Sequence, residues 1–593
     1  MKVTLLLLFS SFILLSSAFP QGPLTPPPSP PGPAMKTLQQ VEPRTDLQSP
    51  TLPPGVTTDS NNHYIISQPG SYYLTANLPI TKSNGIDVIA AGVTIDLNGF
   101  EIYRAAAGNG GNGITIEATA HRCTVKNGSI KGTNYGIAVP TGATVAHGGA
   151  FVGLAASGCA QWGLFGGIGW RIESCQAHEN SSGIFAEKGS TFSNCTASYN
   201  NSGVNGYGFY ANDGSALKNC TSSSNTSYAA IGATDGCTLT DCTASRNTST
   251  YGIVTGAGAT LTNCVAAGNQ GTYGFYLDTG STLTNGVASN NQGTYGIFLG
   301  GTSGGGTLTN CAVTGNQGTY GIYVLQEGTV TNCSVSLNTS SAASSYGIFT
   351  GAGCTITGCS VGSTANTNGT PSTTTGVGIS AGTGSTVKGT TVFSSKGDGL
   401  RLALNSSVID CTIGQNGARG ISGTSDNTVS GCTITNNTQA GIAGTDGWNI
   451  RGSNISNNCL GLAANSGAIA LNDSSTISGC TLLGNKTDGI RVNSANLIEH
   501  NTSNTNSAGS TGIGIHALAF GNRIDSNQVR NSGGAGIKLD SNNAHNVVIR
   551  NTAGNNTGGN YQVGSGNGVG PIISADAGTV GAASNSPMAN IQD

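Results

Sequence analysis

Residues 251–299 read YGIVTGAGATLTNCVAAGNQGT, then YGFYLDTGSTLTNGVASNNQGT, then YGIFL: two copies of 22 residues and the opening of a third. Within the first copy Ile253 is apolar, Val254 is placed to face out, and a Gly-Ala turn follows. Leu261 then points in and Thr262 out, Asn263 takes a corner, and Cys264 and Ala266 point in on either side of Val265. This is period-2 alternation in short strands, broken by Asn and Gly, which tolerate the left-handed backbone of a corner. No such strand buries a face alone. Copies stacked ~4.8 Å apart pair coil to coil and enclose one narrow core, which suits small inward residues such as Cys, Ala, Val and Ile. The predicted fold class is therefore all-β: a right-handed parallel β-helix, a solenoid with coils of about 22 residues.

The repeat extends both ways. YG followed by Ile or Phe recurs at Tyr251, Tyr273, Tyr295, Tyr320 and Tyr346, in steps of 22, 22, 25 and 26 residues. Looser copies stand at Ser182, Gly206, Asp398, Arg419, Ala440, Asp488 and Ala535. A second motif keeps step with it, as TFSNC at Thr191, TLTDC at Thr238, TLTNC at Thr260 and Thr307, and TISGC at Thr476. From about residue 80 to 570 the spacing gives roughly 22 coils and a rod of about 100 Å. Asn194, Asn219, Asn263, Asn285, Asn310 and Asn332 are expected to stack as an amide ladder. STANTNGTPSTTTG (363–376) looks like an inserted loop, which leaves the register through 365–390 open. A β-propeller needs about twice this repeat length per blade, and the leucine pattern of a leucine-rich repeat is missing.

Composition agrees. Of 593 residues 8% are charged and 93 are Gly, with a net charge of −3. Helix interiors disfavour such a chain, and near-neutrality leaves no electrostatic footprint for nucleic acid. The opening MKVTLLLLFSSFILLSSAFP has the basic start, short apolar stretch and small-residue cleavage site of an export signal. The expected layout is a signal peptide over 1–18, a Pro-rich tether and linker over 19–60, an N-terminal cap and first coils over 61–100, the β-helix over 101–555 and a C-terminal cap over 556–593. Secretion or display at the cell surface follows, with no transmembrane segment in the mature chain. Ten of the 16 Cys, among them Cys195, Cys242, Cys264 and Cys480, share one repeat position. Stacked side chains ~4.8 Å apart exceed the ~3.8 Å Cβ separation that a disulfide prefers, so these read as a ladder of buried free thiols. Cys237 and Cys354, five residues before a ladder Cys, stand outside it. No Cys pair has a His at metal-site spacing.

VEPRTDL (41–47), SQPGSYYLTANL (67–78) and GVTIDLNGF (92–100) resemble the N-terminal segment of a family of exported bacterial right-handed β-helix repeat proteins. NYQVGSGNGVGPII (560–573) resembles its C-terminal segment. The family has no established activity. The wider pectate-lyase-like superfold contains polysaccharide lyases, hydrolases and surface adhesins, so the resemblance implies polysaccharide as a partner by analogy alone. No lyase motif carries over to residues of this chain.

Two candidate sites follow from the phase of the repeat. The residue after the inward Ile or Phe faces out, giving Phe165, Phe185, Tyr210, Ile231, Val254, Tyr276, Phe298, Tyr323 and Phe349: an apolar, largely aromatic stripe of roughly 40 Å. Such a stripe marks a binding surface for sugar rings or an apolar cell-surface partner, unless loops of the same molecule or the tail at 20–60 cover it or the rings stack on themselves. The tyrosines before Gly, two residues ahead of an inward Ile, read as structural. Further along, the outward position becomes Arg401, then Arg491, His516 and Lys538, with Asp540 next and Glu499 and His500 close in sequence. A cationic base beside a carboxylate is equipped to abstract a proton next to a uronate; the plain alternative is a solvated charged face. Asp398 and Asp488 lie about four coils, near 20 Å, apart and are no catalytic pair. The expected function is a non-catalytic, exported β-helix that binds polysaccharide or a cell-surface partner through the stripe. The alternatives are a polysaccharide lyase or glycoside hydrolase centred on Arg491, His516, Lys538 and Asp540, and a purely structural rod. No cofactor is predicted, and Ca²⁺ enters only under the lyase alternative.

Overall fold

The computed structural model describes residues 44–104, 110–140, 145–301, 304–340, 344–362, 364–366, 376–461, 466–506, 511–540, 545–574 and 586–593. The export signal, most of the tether, and residue 363 and residues 367–375 of the inserted segment lie outside the described residues.

Thr45–Asp593 forms a parallel β-solenoid. Each central coil carries three strands, for example Tyr273–Leu277, Thr282–Thr284 and Val287–Ser289, and each pairs in parallel with its counterpart one coil on. The repeat sets the register residue by residue: Tyr273 opposes Tyr295, Leu283 opposes Leu308, and Ala288 opposes Val313. It also runs on across the inserted segment, because Ile348 pairs with Ile379 and Val361 with Val392.

The second and third strands of each central coil stay short because a left-handed residue ends each one. Asn263, Asn285, Asn310 and Asn332 all have φ of 52–54°, which Asn reaches at little cost. Leu261, Cys264 and Ala266 are buried as the alternation predicts. Gly274 answers a separate need. A Cβ there would lie 2.5 Å from the carbonyl oxygen of Gly296 and 2.9 Å from Asn291 Nδ2. The strand therefore turns at Gly274, with Gly274 and Phe275 both buried and Tyr273 and Tyr276 both facing out.

Two Asn columns run along the molecule. The predicted one, Asn194 to Asn332, sits at the surface corner, and side-chain bonds join Asn219 to Asn194 and Asn285 to Asn263. The buried ladder is a different column: Asn180, Asn200, Asn225, Asn247, Asn269, Asn291, Asn316 and Asn338. Each Nδ2 donates to the next Oδ1 at 2.9–3.1 Å, and that Oδ1 also accepts from the backbone N–H of the Asn before it. All sixteen Cys are free and buried. Burial pushes the Cys480 thiol up to about 11, so it stays protonated and inert. After Cys480 the thiol column becomes Asn501, Asn527, Asn551 and Asn590, joined by the same amide bonds.

The ends are closed differently. Thr45–Asp46 pairs in parallel with Gly70–Tyr73, and Val56–Thr57 pairs antiparallel with Asn62–Ile66, which itself pairs in parallel with Asn84–Val88. Asn590–Gln592 pairs with Thr552–Gly554 and Ile572–Ser574.

Candidate functional site

The outward column predicted from the repeat is one register line. Phe165, Phe185, Tyr210, Gly232, Val254, Tyr276, Phe298, Tyr323 and Phe349 are paired coil to coil, and the line continues through Ser380, Arg401, Ser422, Ala443, Ala470, Arg491, His516 and Lys538. Three positions differ from expectation: Ile231, Phe185 and His516, the last buried at 5% exposure although its register is outward. Ile231 is fully buried between Phe209 and Ile253, and Gly232 takes the outward place. There a Cβ would lie 2.8 Å from the Tyr207 ring. Phe185 is only 8% exposed, clamped between Phe165 at 4.1 Å and Tyr210 at 5.5 Å, so it supports the column rather than offering a surface.

A second row lies beside the first. The bend at Gly274 and its equivalents turns Tyr251, Tyr273, Tyr295, Tyr320 and Tyr346 outward, so the tyrosines before Gly are half-buried members of the face rather than core residues. Within this row successive rings are 4.9–5.4 Å apart and 5–9° from parallel. In the row Tyr276, Phe298, Tyr323, Phe349 they are 4.9–5.2 Å apart and 5–11° from parallel. Across the rows, on the same strand, planes meet at 71–85°. Parallel rings with centroids 5 Å apart whose faces touch at roughly 3.5–4 Å must tilt by about 40° from the stacking axis. Near-perpendicular rows then tilt in opposite senses, as a herringbone. Ring faces are used largely on one another. Burial, with the phenols of Tyr273, Tyr320 and Tyr323 around it, pushes Tyr295 up to about 12. Its hydroxyl stays protonated, able to donate and to accept.

Arg491, His516, Lys538 and Asp540 lie together around Asp488. Asp488 is buried and occupies the tyrosine-row position. Its Oδ1 accepts from the Ile513 backbone N–H at 2.9 Å; its Oδ2 lies 3.1 Å from both Arg491 Nη1 and His516 Nδ1. His516 Nε2 is 3.3 Å from Asp540 Oδ1, which Lys538 Nζ also approaches at 3.3 Å. Burial raises the Asp540 carboxyl, but the bond to His516 and the charges of His516 and Lys538 outweigh it and hold it below its ordinary value. Arg491 Nη1 is 3.0 Å from His516 Nδ1. A neutral imidazole accepts from Arg491 and donates from Nε2 to Asp540; an imidazolium donates to Asp488 and Asp540. Either way both ring nitrogens are engaged.

Part of this arrangement recurs four coils earlier. Asp398 accepts from the Arg419 backbone N–H at 3.1 Å and from Ser422 Oγ at 2.8 Å, with Arg401 at 3.5 Å. The Asp-Gly-aliphatic-Arg unit is thus a staple between coils, and His516 in the place of Ser422 is what distinguishes the second one. Glu499 is not part of it. It lies on another ladder, opposite Asp525, where Arg523 and Arg550 pair with Asp525. His500 ends that Glu499 strand at a left-handed corner, φ 57°. Among the described residues no group of three or more His, Cys, Asp or Glu is arranged to hold a metal ion, and no helix is long and apolar enough to cross a membrane.

Fold and site together define a β-solenoid with one register line of side chains, largely aromatic from Phe165 to Phe349 and bearing Arg491, His516 and Lys538 in its last third. A family model described as the right handed beta helix region matches residues 161–311, 295–460 and 442–574, and the chain belongs to that family. No curated protein matches it. Among solved structures it is similar to the Dettilon tailspike protein, with 15% identity over 65% of this chain and 62% of that one, TM-score 0.26. It is also similar to a mutant of the PL6 family alginate lyase AlyGC, with 9% identity over 88% and 97%, TM-score 0.22. A third is the periplasmic alginate epimerase AlgG, with 8% identity over 89% and 83%, TM-score 0.19. The chain spans about six tenths of the tailspike's length. Likeness at this level says nothing about activity.

Proposed function

We propose that this protein is an exported, non-catalytic β-helix that binds polysaccharide through the double row of aromatic side chains. One observation carries the reading: Tyr251 to Tyr346 over five successive coils and Tyr276 to Phe349 over four of them form a continuous, partly buried aromatic face whose ring contacts are with one another. An apolar surface of this extent, edged with hydroxyls, suits the mixed C–H and O–H surface of a glycan. The test is retention on a panel of immobilised polysaccharides, comparing wild type with a Tyr276→Ala, Phe298→Ala, Tyr323→Ala variant. Retention of the wild type and loss in the variant support the reading; equal retention, or none by the wild type on any glycan, overturns it.

The convergence of Arg491, His516, Lys538, Asp488 and Asp540 favours a second reading, a polysaccharide lyase or glycoside hydrolase centred there. A base serving this chemistry must present a free lone pair, and His516 presents one only if its contact with Asp540 or Arg491 opens. Purified protein incubated with uronate-containing glycans, with and without Ca²⁺, would give unsaturated products absorbing in the ultraviolet and lost in His516→Ala. Absence of any cleavage product retires the reading.

A further inference from the structure

The two aromatic rows differ in chemistry. The first is tyrosine at every coil from Tyr251 to Tyr346; the second alternates, Tyr276, Phe298, Tyr323, Phe349. The first row therefore repeats its hydroxyl every coil, at the 4.9–5.4 Å ring spacing. The second repeats its hydroxyl every second coil. Charge is arranged around these rows as well. From Tyr251 to Phe349 neither column holds a charged side chain, while the turn after the strand carries Asp278 beside Tyr276 and, one coil before Tyr251, Asp235. Burial together with Asp278 raises the Tyr276 phenol. A polyanion laid on this face meets no cation and an acidic fringe, which disfavours it. The cations Arg401, Arg491 and Lys538 lie only further along the track.

We infer that the face binds a neutral, extended glycan of the β-1,4-linked, two-fold ribbon type, lying parallel to the solenoid axis with one sugar over each coil. This rests on the proposed glycan-binding function and names its ligand class. A pyranose joined through equatorial C1 and C4 advances by about its own length per residue, close to one coil rise of ~4.8 Å. Its two-fold symmetry turns alternate sugars over, so hydroxymethyl groups return to the same side every second residue, in step with Tyr276 and Tyr323. The every-coil tyrosines serve hydroxyls present on each sugar. A coiled α-1,4 glucan keeps neither period, and a uronate ribbon keeps both but carries the wrong charge.

Titration calorimetry of the full chain with defined oligosaccharides tests this. Cellohexaose or mannohexaose should bind at least about tenfold more tightly than the corresponding biose, with affinity rising up to five or six sugars and then level, as expected when each added unit meets a new coil. Maltohexaose and an oligouronate hexamer should bind weakly or not at all. Tyr276→Phe with Tyr323→Phe preserves ring stacking and should weaken cellohexaose and mannohexaose several-fold. Equal affinity for biose and hexaose, equal binding of maltohexaose or of the uronate, or no effect of the double Phe variant overturns the inference. If the polysaccharide panel retains the protein but these neutral hexaoses do not bind, the ligand class is wrong and the glycan-binding reading stands. If nothing on the panel is retained, both fall.

Discussion

Tyr295 stands edge-on to Phe298, three residues along the same strand, with ring centroids 5.3 Å and planes 82° apart. Phe298 also stacks on Tyr276 at 4.9 Å and on Tyr323 at 5.2 Å. It also meets Tyr273 edge-on at 5.7 Å; Phe298→Ala removes all four contacts and is expected to cost about 2–3 kcal/mol of local stability. Stability in a solenoid spreads from coil to neighbouring coil. Hydrogen exchange should therefore speed up in Tyr273–Leu277, Tyr295–Leu299 and Tyr320–Val324 and stay unchanged in the coils near residue 500. Uniform acceleration along the chain, or none, contradicts this.

Asn269→Ala breaks the buried amide ladder from inside. The Asn247 backbone N–H and side chain both lose their acceptor, and the Ala244 carbonyl and Asn291 Oδ1 lose a donor. Asn247 Nδ2 keeps the Ser222 carbonyl and Asn291 Oδ1 keeps the Asn269 N–H, but the lost bonds and the orphaned Asn247 N–H should cost about 1–3 kcal/mol, again read as faster exchange in the adjoining coils. Asn285→Ala, at the surface corner, should cost far less.

Two carboxylates give opposite pH signatures. Hydrogen bonding from Arg550, with Ser526 and Arg523 adding to it against the effect of burial, holds Asp525 at about 2. Its folded value lies below the unfolded 3.8, so its contribution is complete above pH 3.8 and is lost as pH falls through about 2. Asp525→Asn should therefore lower local stability by about 1–2 kcal/mol at neutral pH, and the deficit should vanish towards pH 2.

Burial, with Glu117 and Asp59 nearby, raises Asp87 to about 6, and its buried Oδ1 has no hydrogen-bond partner among the described residues. Here the folded value lies above the unfolded one. The stability is full below pH 3.8 and declines as pH rises through about 6. Asp87→Asn should make Asn84–Val88 exchange more slowly than wild type at pH 7.5 and equally at pH 3.5. A variant that is less protected at pH 7.5 contradicts the assignment.

Free, buried thiols predict a chemical result. The native protein should leave a thiol-specific reagent nearly unreacted, and the denatured protein should consume 16 equivalents without prior reduction. Fewer equivalents before reduction would mean that pairs exist.

The fold was legible because each coil repeats the same inward residues, corner Asn and outward Thr, so register followed from counting. Counting failed where the strand bends. Period-2 alternation left the side of Tyr273 open and read it as structural, but the close approach of Gly274 to the next coil inserts an extra buried position and turns Tyr273 out. Ile231 was misplaced because Ala229, Ala230 and Ile231 are all buried, leaving no polar neighbour to mark the phase. Asp488 was overlooked as a partner for the same reason as the tyrosines, since it precedes Gly at the bend. The clustering of Arg491, His516, Lys538 and Asp540, by contrast, followed from register alone, whereas the engagement of both His516 nitrogens is a matter of side-chain geometry that spacing does not contain.

Depletion of the protein from solution by an insoluble β-linked neutral glycan tests the central claim most directly, using wild type, the Tyr276→Ala, Phe298→Ala, Tyr323→Ala variant and His516→Ala. Binding through the aromatic rows predicts that wild type and His516→Ala are removed alike while the triple variant stays in solution. Removal of the triple variant to the same extent as wild type, or failure of the glycan to remove any of the three, would contradict it.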